Sequence, residues 1–428
     1  MRNTLIDLLL IAALLRALLL TAAAVPLFDE SFYIQSARVM LSGGIDPNPE
    51  HPLFAKCLIA SSMTLFGDNP LGWRLFPMLA GIASVGLFYL IALKLGLKER
   101  LAMASALLIA LDPLHIVLSR LAMLDIFAFA FSLAGLYVLL SARPPKRLRE
   151  KTVVGTVRQY KGWLLAGILF GLGIASKWPA ALMLAGALAF MFIGSKRRME
   201  LVRPSVALLF AAAAVYIATY LPLIAGQGFV SFIGLQLSDL RLHAFMPAAM
   251  QNSEPWEWLF GRVPVWFGWY KPDLPLPPDW LLFIPNLLGM QASFAVIALG
   301  NPVTWWLSLI ALSVIFGGML LQKTGIIKKV KELSKAELFA LVWFTFNWSP
   351  WLLIPRGQSF LYYMLPVLPA YALATVCFVN RYPHKLAIPA LLAVAAISLA
   401  VFYPLLIALP MPVGYFDALR WWIGFPPV

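Results

Sequence analysis

The chain has 428 residues, 61% of them hydrophobic and 12% charged, with a mean hydropathy of +0.84. A soluble domain of this length has no use for so much apolar surface, so the composition describes a polytopic membrane protein. A net charge of +14 invites a nucleic-acid partner, but the placement of that charge along the chain argues for a bilayer instead.

Apolar runs fall at about 5–27, 71–93, 101–118, 121–141, 162–176, 178–194, 204–225, 303–321, 338–354, 360–380 and 386–409. They predict an all-α polytopic membrane protein with about eleven transmembrane helices, organised as a single domain over 1–428. With the N-terminus inside, the segments 1–4, 94–100, 142–161, 195–203, 322–337 and 381–385 face the cytoplasm. They hold 22 of the 33 basic residues and, counting Asp7 with this side, six of the 19 acids, so the inner face stands near +16 and the outer near −3. That asymmetry predicts a cytoplasmic N-terminus and an external C-terminus. Arg2, the apolar stretch and Thr21-Ala22-Ala23-Ala24 imitate a secretory signal, but the length of the run and Arg16 within it favour an uncleaved anchor.

Two outer segments, about 28–70 and 226–302, are rich in Trp, Tyr, Pro and Phe. They are expected to lie at the interface as amphipathic helices, with Trp256, Trp258, Trp266, Trp269 and Trp280 mainly in the aromatic belt. Cys57 and Cys377 have neither disulfide context nor metal-ligand spacing.

Asp29 and Glu30 stand where the first apolar run should meet water. Adjacent carboxylates are costly to desolvate there, which marks them as a functional site. The outer side also carries Glu50, His51, Arg74, Asp112, His115, Arg120, Asp125, Lys177 and Arg356 at helix ends or in loops. Cations and carboxylates at one membrane surface suit group transfer from a lipid-linked phosphate. Arg or Lys can hold the leaving phosphate without a metal, and a carboxylate can take the proton of an attacking hydroxyl. Glu50, His51 and His243 form a poor metal set, so no cofactor and no divalent ion are expected. His115 and His243 read as loop or interface residues.

In chain order, FDE, EHPLFAK, GWRLF, LSRLAMLD, GIASKWPA, SEPWEW, GNPVTWW and RGQSFLYYMLP resemble motifs of the protein O-mannosyltransferase family, in its small form without MIR domains. These are GT-C enzymes that use dolichyl-phosphate-mannose, and the resemblance runs from Phe28 to Pro366. It implies an inverting transferase moving mannose to Ser or Thr hydroxyls of an external protein acceptor. It further implies Asp29 as general base and Glu30 as its orienting neighbour. Phosphate or sugar contacts would fall to Arg74, Arg120, Lys177, Arg356, His51, Glu50 and Tyr362. The chain departs from the family pattern at Pro49, Leu53 and Tyr363, where the family has Asp, Pro and His. The polyprenyl-phosphate donor, a protein acceptor and the bilayer are the expected partners. The oligomeric state, a dimer included, stays open.

Two alternatives remain at this stage. A sister GT-C enzyme could move another sugar, of the aminoarabinose type, to a lipid or glycan, as Glu50 beside His51 hints. A secondary transporter could use the acids as a coupling site, although the chain lacks the repeated halves common in such folds.

Overall fold

The computed structural model describes residues 2–142, 153–247, 251–270, 292–324, 332–381, 384–412, 414–415 and 417–419. Trp280 and much of the basic segments at 142–161 and 322–337 lie outside them. A helix occupies every one of the expected apolar runs: α1 (Arg2–Ala17), α4 (Pro70–Lys94), α5 (Glu99–Ala110) with α6 (Pro113–Arg120), α7 (Leu124–Ser141), α8 (Val153–Ser176), α9 (Ala180–Ile193), α10 (Arg198–Thr219), α14 (Pro302–Lys323), α15 (Lys335–Trp348), α16 (Leu368–Val379) and α17 (Ala387–Phe402). The first outer segment forms α2 (Glu30–Leu41) and α3 (Phe54–Phe66); α11 (Leu221–Gln227) leads into the second, which contains α12 (Phe229–Phe245) and α13 (Pro255–Trp258). Among the described residues six helices are long and apolar enough to cross a bilayer, or eight if each of two bent pairs counts as one span.

Local chemistry sets the boundaries. Asn69 caps α4 by accepting from the amides of Leu71 and Gly72, and Pro70 follows at the first helical position. Asp112 and Pro113 do the same for α6, which turns 61° away from α5 at that break. Between α8 and α10 the backbones meet closely: a Cβ on Gly167 would lie 2.3 Å from the Leu208 carbonyl oxygen. Small residues at such contacts let helices pack through van der Waals attraction in lipid.

Two expectations are corrected. The first run does not continue as one helix to residue 27; α1 stops at Ala17. Beyond it, the carbonyl groups of Leu18, Leu19, Leu20, Ala23 and Val25 accept hydrogen bonds from the guanidinium groups of Arg120 and Arg74. Those donors replace the helical amides, so an irregular segment is tolerated beside hydrocarbon. The second outer segment is also not purely helical. Strand β1 (Val265–Tyr270) pairs antiparallel with β2 (Ala292–Ala298), with an irregularity between Trp266 and Gly268, and β2 pairs with the short β3 (Met411–Pro412). A Cβ on Gly268 would come within 2.8 Å of the Leu27 side chain, so this ribbon packs on the turn that presents Asp29.

Candidate active site

The turn into α2 separates the two acids. Phe28 has φ +45°, a left-handed conformation unusual for an aromatic residue. Its ring is held edge-on by Phe267 and Phe360, at centroid distances of 5.4 and 5.8 Å. Asp29 then occupies the cap position of α2 yet makes no side-chain cap bond. Its Oδ2 instead accepts from the Tyr362 hydroxyl at 3.1 Å. Glu30, one residue on, points into the protein. It is fully buried, pairs with Arg74 through two 2.8 Å bonds, and accepts from the amides of Leu27 and Ala122.

Asp29 opens on a cavity of about 240 Å³. Of the residues singled out from the sequence, Glu50, His51, Lys177, Arg356 and Tyr362 also line it. Glu30, Arg74 and Arg120 do not. Arg74 is 1% exposed and spends its donors on Glu30 and on carbonyl oxygens, and Arg120 binds the carbonyls of Arg16, Leu18 and Leu19 at 2.5–2.9 Å. The structure gives these three residues bracing contacts and leaves them out of the cavity, contrary to the expectation that both arginines would share a pocket with the acid pair.

The cavity's cations are Lys177 and Arg356. Lys177, just after α8, donates to Asp125 Oδ2 at 2.7 Å, with its ammonium 5.1 Å from the Tyr362 ring centre. Arg356 has its guanidinium 4.8 Å from the centre of the Tyr363 ring and 5.5 Å from Trp351. Tyr363, standing where the family has His, is stacked on Trp351 at 4.7 Å and completes an aromatic floor under both cations. Also on the cavity wall, Asn48 is buried and donates to Glu50 Oε1 at 2.5 Å, and its own Oδ1 has no partner among the described residues.

Burial pushes the Asp29 carboxyl up to about 6, with the Asp125 charge adding to the rise. Lys177 and the Tyr362 and Tyr33 hydroxyls act against it. His51 is held well below the usual imidazole range by burial and then by Lys177, so it stays neutral. A half-buried carboxylate with a pKa near neutrality, sharing a cavity with two cations, can take a proton while an anionic group is held by those cations.

Sequence reasoning did not assign Tyr33, Asn48 or Tyr363 to the site, and it misplaced two histidines. His243 lines the cavity, whereas His115 lies fully buried between Arg16 and Ser84, at 2.7 and 2.9 Å. The one available signal was that His243 follows Gln236 and Asp239 at helical spacing on α12, a polar stripe with no packing purpose in an otherwise apolar helix.

Known proteins resemble this chain along most of its length. The family model described as dolichyl-phosphate-mannose-protein mannosyltransferase matches residues 68–232, and that of the C-terminal four-helix region of protein O-mannosyltransferase matches 228–423. Polyprenol-phosphate-mannose–protein mannosyltransferase of Mycobacterium tuberculosis is 25% identical, covering 82% of this chain and 74% of that protein. Its Mycolicibacterium smegmatis counterpart is 26% identical over 91% and 86%. An undecaprenyl phosphate-aminoarabinose arabinosyl transferase of Pseudomonas aeruginosa is 32% identical, over only 40% and 31%. The donor-bound S. cerevisiae protein O-mannosyltransferase Pmt1-Pmt2 complex has the same fold, with a TM-score of 0.79 over 100% of this chain and 92% of that one at 14% identity. The Cupriavidus metallidurans ArnT structure with undecaprenyl phosphate gives 0.52, over 88% and 60% at 16% identity. With the two family models meeting near residue 230 and together spanning most of its length, the chain belongs to the protein O-mannosyltransferase family of GT-C membrane glycosyltransferases.

Proposed function

We propose that this enzyme transfers mannose from a polyprenyl-phosphate donor to Ser or Thr hydroxyls of protein acceptors at the external membrane face. The observation that carries the reading is the Asp29 carboxylate, left free by its helix and directed into a cavity that also holds Lys177 and Arg356. The mycobacterial relatives named for this reaction, similar over most of their length, support the donor and acceptor classes. The external placement rests on the charge asymmetry of the loops.

In the proposed reaction the acceptor hydroxyl oxygen forms a bond to the anomeric carbon, and its proton passes to Asp29. The bond from that carbon to the phosphate oxygen breaks, and the electron pair leaves with the polyprenyl phosphate. Lys177 and Arg356 meet the charge developing on the leaving group, with no divalent ion required. Direct attack inverts the anomeric centre. We assign Glu50, Asn48 and neutral His51, which line the same cavity, to the sugar, since the Asn48 oxygen, without a partner among the described residues, suits a sugar hydroxyl.

The test is to offer the purified protein, in lipid, a panel of labelled polyprenyl-phosphate sugars with a Ser/Thr-containing peptide. Mass spectrometry of the peptide and lipid fractions should find label from the mannosyl donor on the peptide hydroxyl. Label from an amino-pentose donor in the lipid fraction alone would transfer the assignment to the arabinosyl-transferase type, which the P. aeruginosa match keeps as the second reading.

A further inference from the structure

His243 sits in the last turn of α12 and touches two other segments of the cavity wall. Its Nδ1 is 3.3 Å from Arg356 Nη2, and its Nε2 is 3.0 Å from the carbonyl oxygen of Glu50. A guanidinium can only donate and a carbonyl can only accept, so both contacts are satisfied by one species. That species is the neutral imidazole with its hydrogen on Nε2. The ring is fixed from both sides, 5.3 Å from His51 and 5.9 Å from Trp178.

The backbone beside Arg356 is docked on the same helix end. The Gly357 amide donates to the His243 carbonyl at 3.1 Å, and Gln358 Nε2 donates to that of Pro247 at 2.8 Å. A Cβ on Gly357 would fall 1.5 Å from the Met246 carbonyl oxygen, so no larger residue can follow Arg356 without separating the two segments. Among the described residues Arg356 pairs with no carboxylate. Trp351 and Tyr363 restrain the plane of its guanidinium, and Gln358 accepts from its Nε at 3.2 Å. Of its contacts, the one to His243 is the one that links it to the first outer loop.

We propose that His243 is a positioning residue: by joining Arg356 to the Glu50 backbone, it sets the separation between the cation that receives the donor phosphate and the loop that receives the sugar. This rests on the function proposed above, and it assigns His243 no contact with the reacting atoms. The two ring nitrogens have separate jobs, and substitution can separate them. Asparagine can present its oxygen to Arg356 as Nδ1 does, whereas glutamine can present its nitrogen to the Glu50 carbonyl as Nε2 does.

The experiment measures kcat and donor KM with polyprenyl-phosphate-mannose, direct binding of polyprenyl phosphate, and unfolding temperature, for wild type, H243A, H243N, H243Q and G357A. Loss of a hydrogen bond to a charged group corresponds to about 10–100-fold in affinity. H243A and H243Q should weaken polyprenyl-phosphate binding and raise donor KM in that range, with kcat falling less than KM rises. H243N should retain more affinity than H243Q, and G357A should resemble H243A. Equal binding in wild type and H243A, or losses in H243N matching those in H243A and tracking a shared drop in unfolding temperature, would overturn the positioning role. A wild type that binds polyprenyl phosphate but transfers no mannose would sink the proposed function and leave the binding comparison intact. A wild type that binds none would sink the positioning proposal.

Discussion

Tyr362 donates its phenolic hydrogen to Asp29 across 333 residues of sequence, at 3.1 Å. The bond joins the start of the first outer segment to the 3₁₀ turn that leads into α16. It stabilises the ionised form of a carboxyl that burial otherwise drives toward neutrality. On the proposed mechanism, Tyr362 thereby helps to keep Asp29 usable as a base near neutral pH.

A pH profile tests that relationship. If Asp29 is the base, as proposed, it must be ionised, so kcat/KM should fall as pH drops through about 6. Tyr362→Phe removes a hydrogen bond to the charged form, and the acidic limb should move to higher pH. A limb that stays in place in this variant would mean that the hydroxyl does not tune Asp29.

Stability should respond with the opposite sign to the usual carboxylate. The folded protein raises the Asp29 pKa from 3.8 to about 6, so its ionisation destabilises the fold as pH rises through that window. Asp29→Asn should consequently unfold at a higher temperature than wild type at pH 8 and show little advantage near pH 4. Thermal unfolding in detergent at the two pH values checks this.

Glu30 and Arg74 form a buried pair whose function is bracing. Glu30→Ala leaves a guanidinium uncompensated in the protein interior and should cost about 3–5 kcal/mol, seen as a marked fall in unfolding temperature. Replacing both residues with apolar ones should recover part of the loss. If Glu30→Ala were as stable as wild type but inactive, Glu30 would belong to the chemistry after all.

Lys177 and Arg356 are the cations available to the leaving phosphate. Chelation with EDTA should leave transfer unchanged, whereas Lys177→Met or Arg356→Met should reduce kcat/KM by about 10²-fold or more, the scale of losing one charge-stabilising donor. Activity abolished by EDTA and restored by a divalent ion would contradict the metal-free account.

Asp29, Glu50, His51, Lys177 and Arg356 were legible in the sequence because each stands at a helix end or in an outer loop, where a polar side chain has no packing explanation, whereas Tyr362 came only through the resemblance of RGQSFLYYMLP. Arg74 and Arg120 satisfy the same criterion and were misjudged for a physical reason. Apart from the Arg74–Glu30 pair, their partners are backbone carbonyls of residues 16–25, and an apolar run shows nothing of where its helix will break. His243 was missed because its value lies in contacts to Glu50 and Arg356, 193 and 113 residues away, which no local pattern encodes. The β1–β2 ribbon was missed because the Trp- and Phe-rich β1 resembles belt residues as much as it resembles a strand, and the short apolar β2 has no alternating pattern. The transporter alternative ends with the family assignment.

The most direct test of the central claim is single-turnover mannose transfer to a Ser/Thr peptide by wild type, Asp29→Asn and Asp29→Glu, with polyprenyl-phosphate binding measured on the same samples. General-base loss is worth about 10²–10⁴-fold. The account predicts that Asp29→Asn loses transfer on that scale while still binding the lipid phosphate, with Asp29→Glu in between. Transfer by Asp29→Asn at the wild-type rate would contradict it.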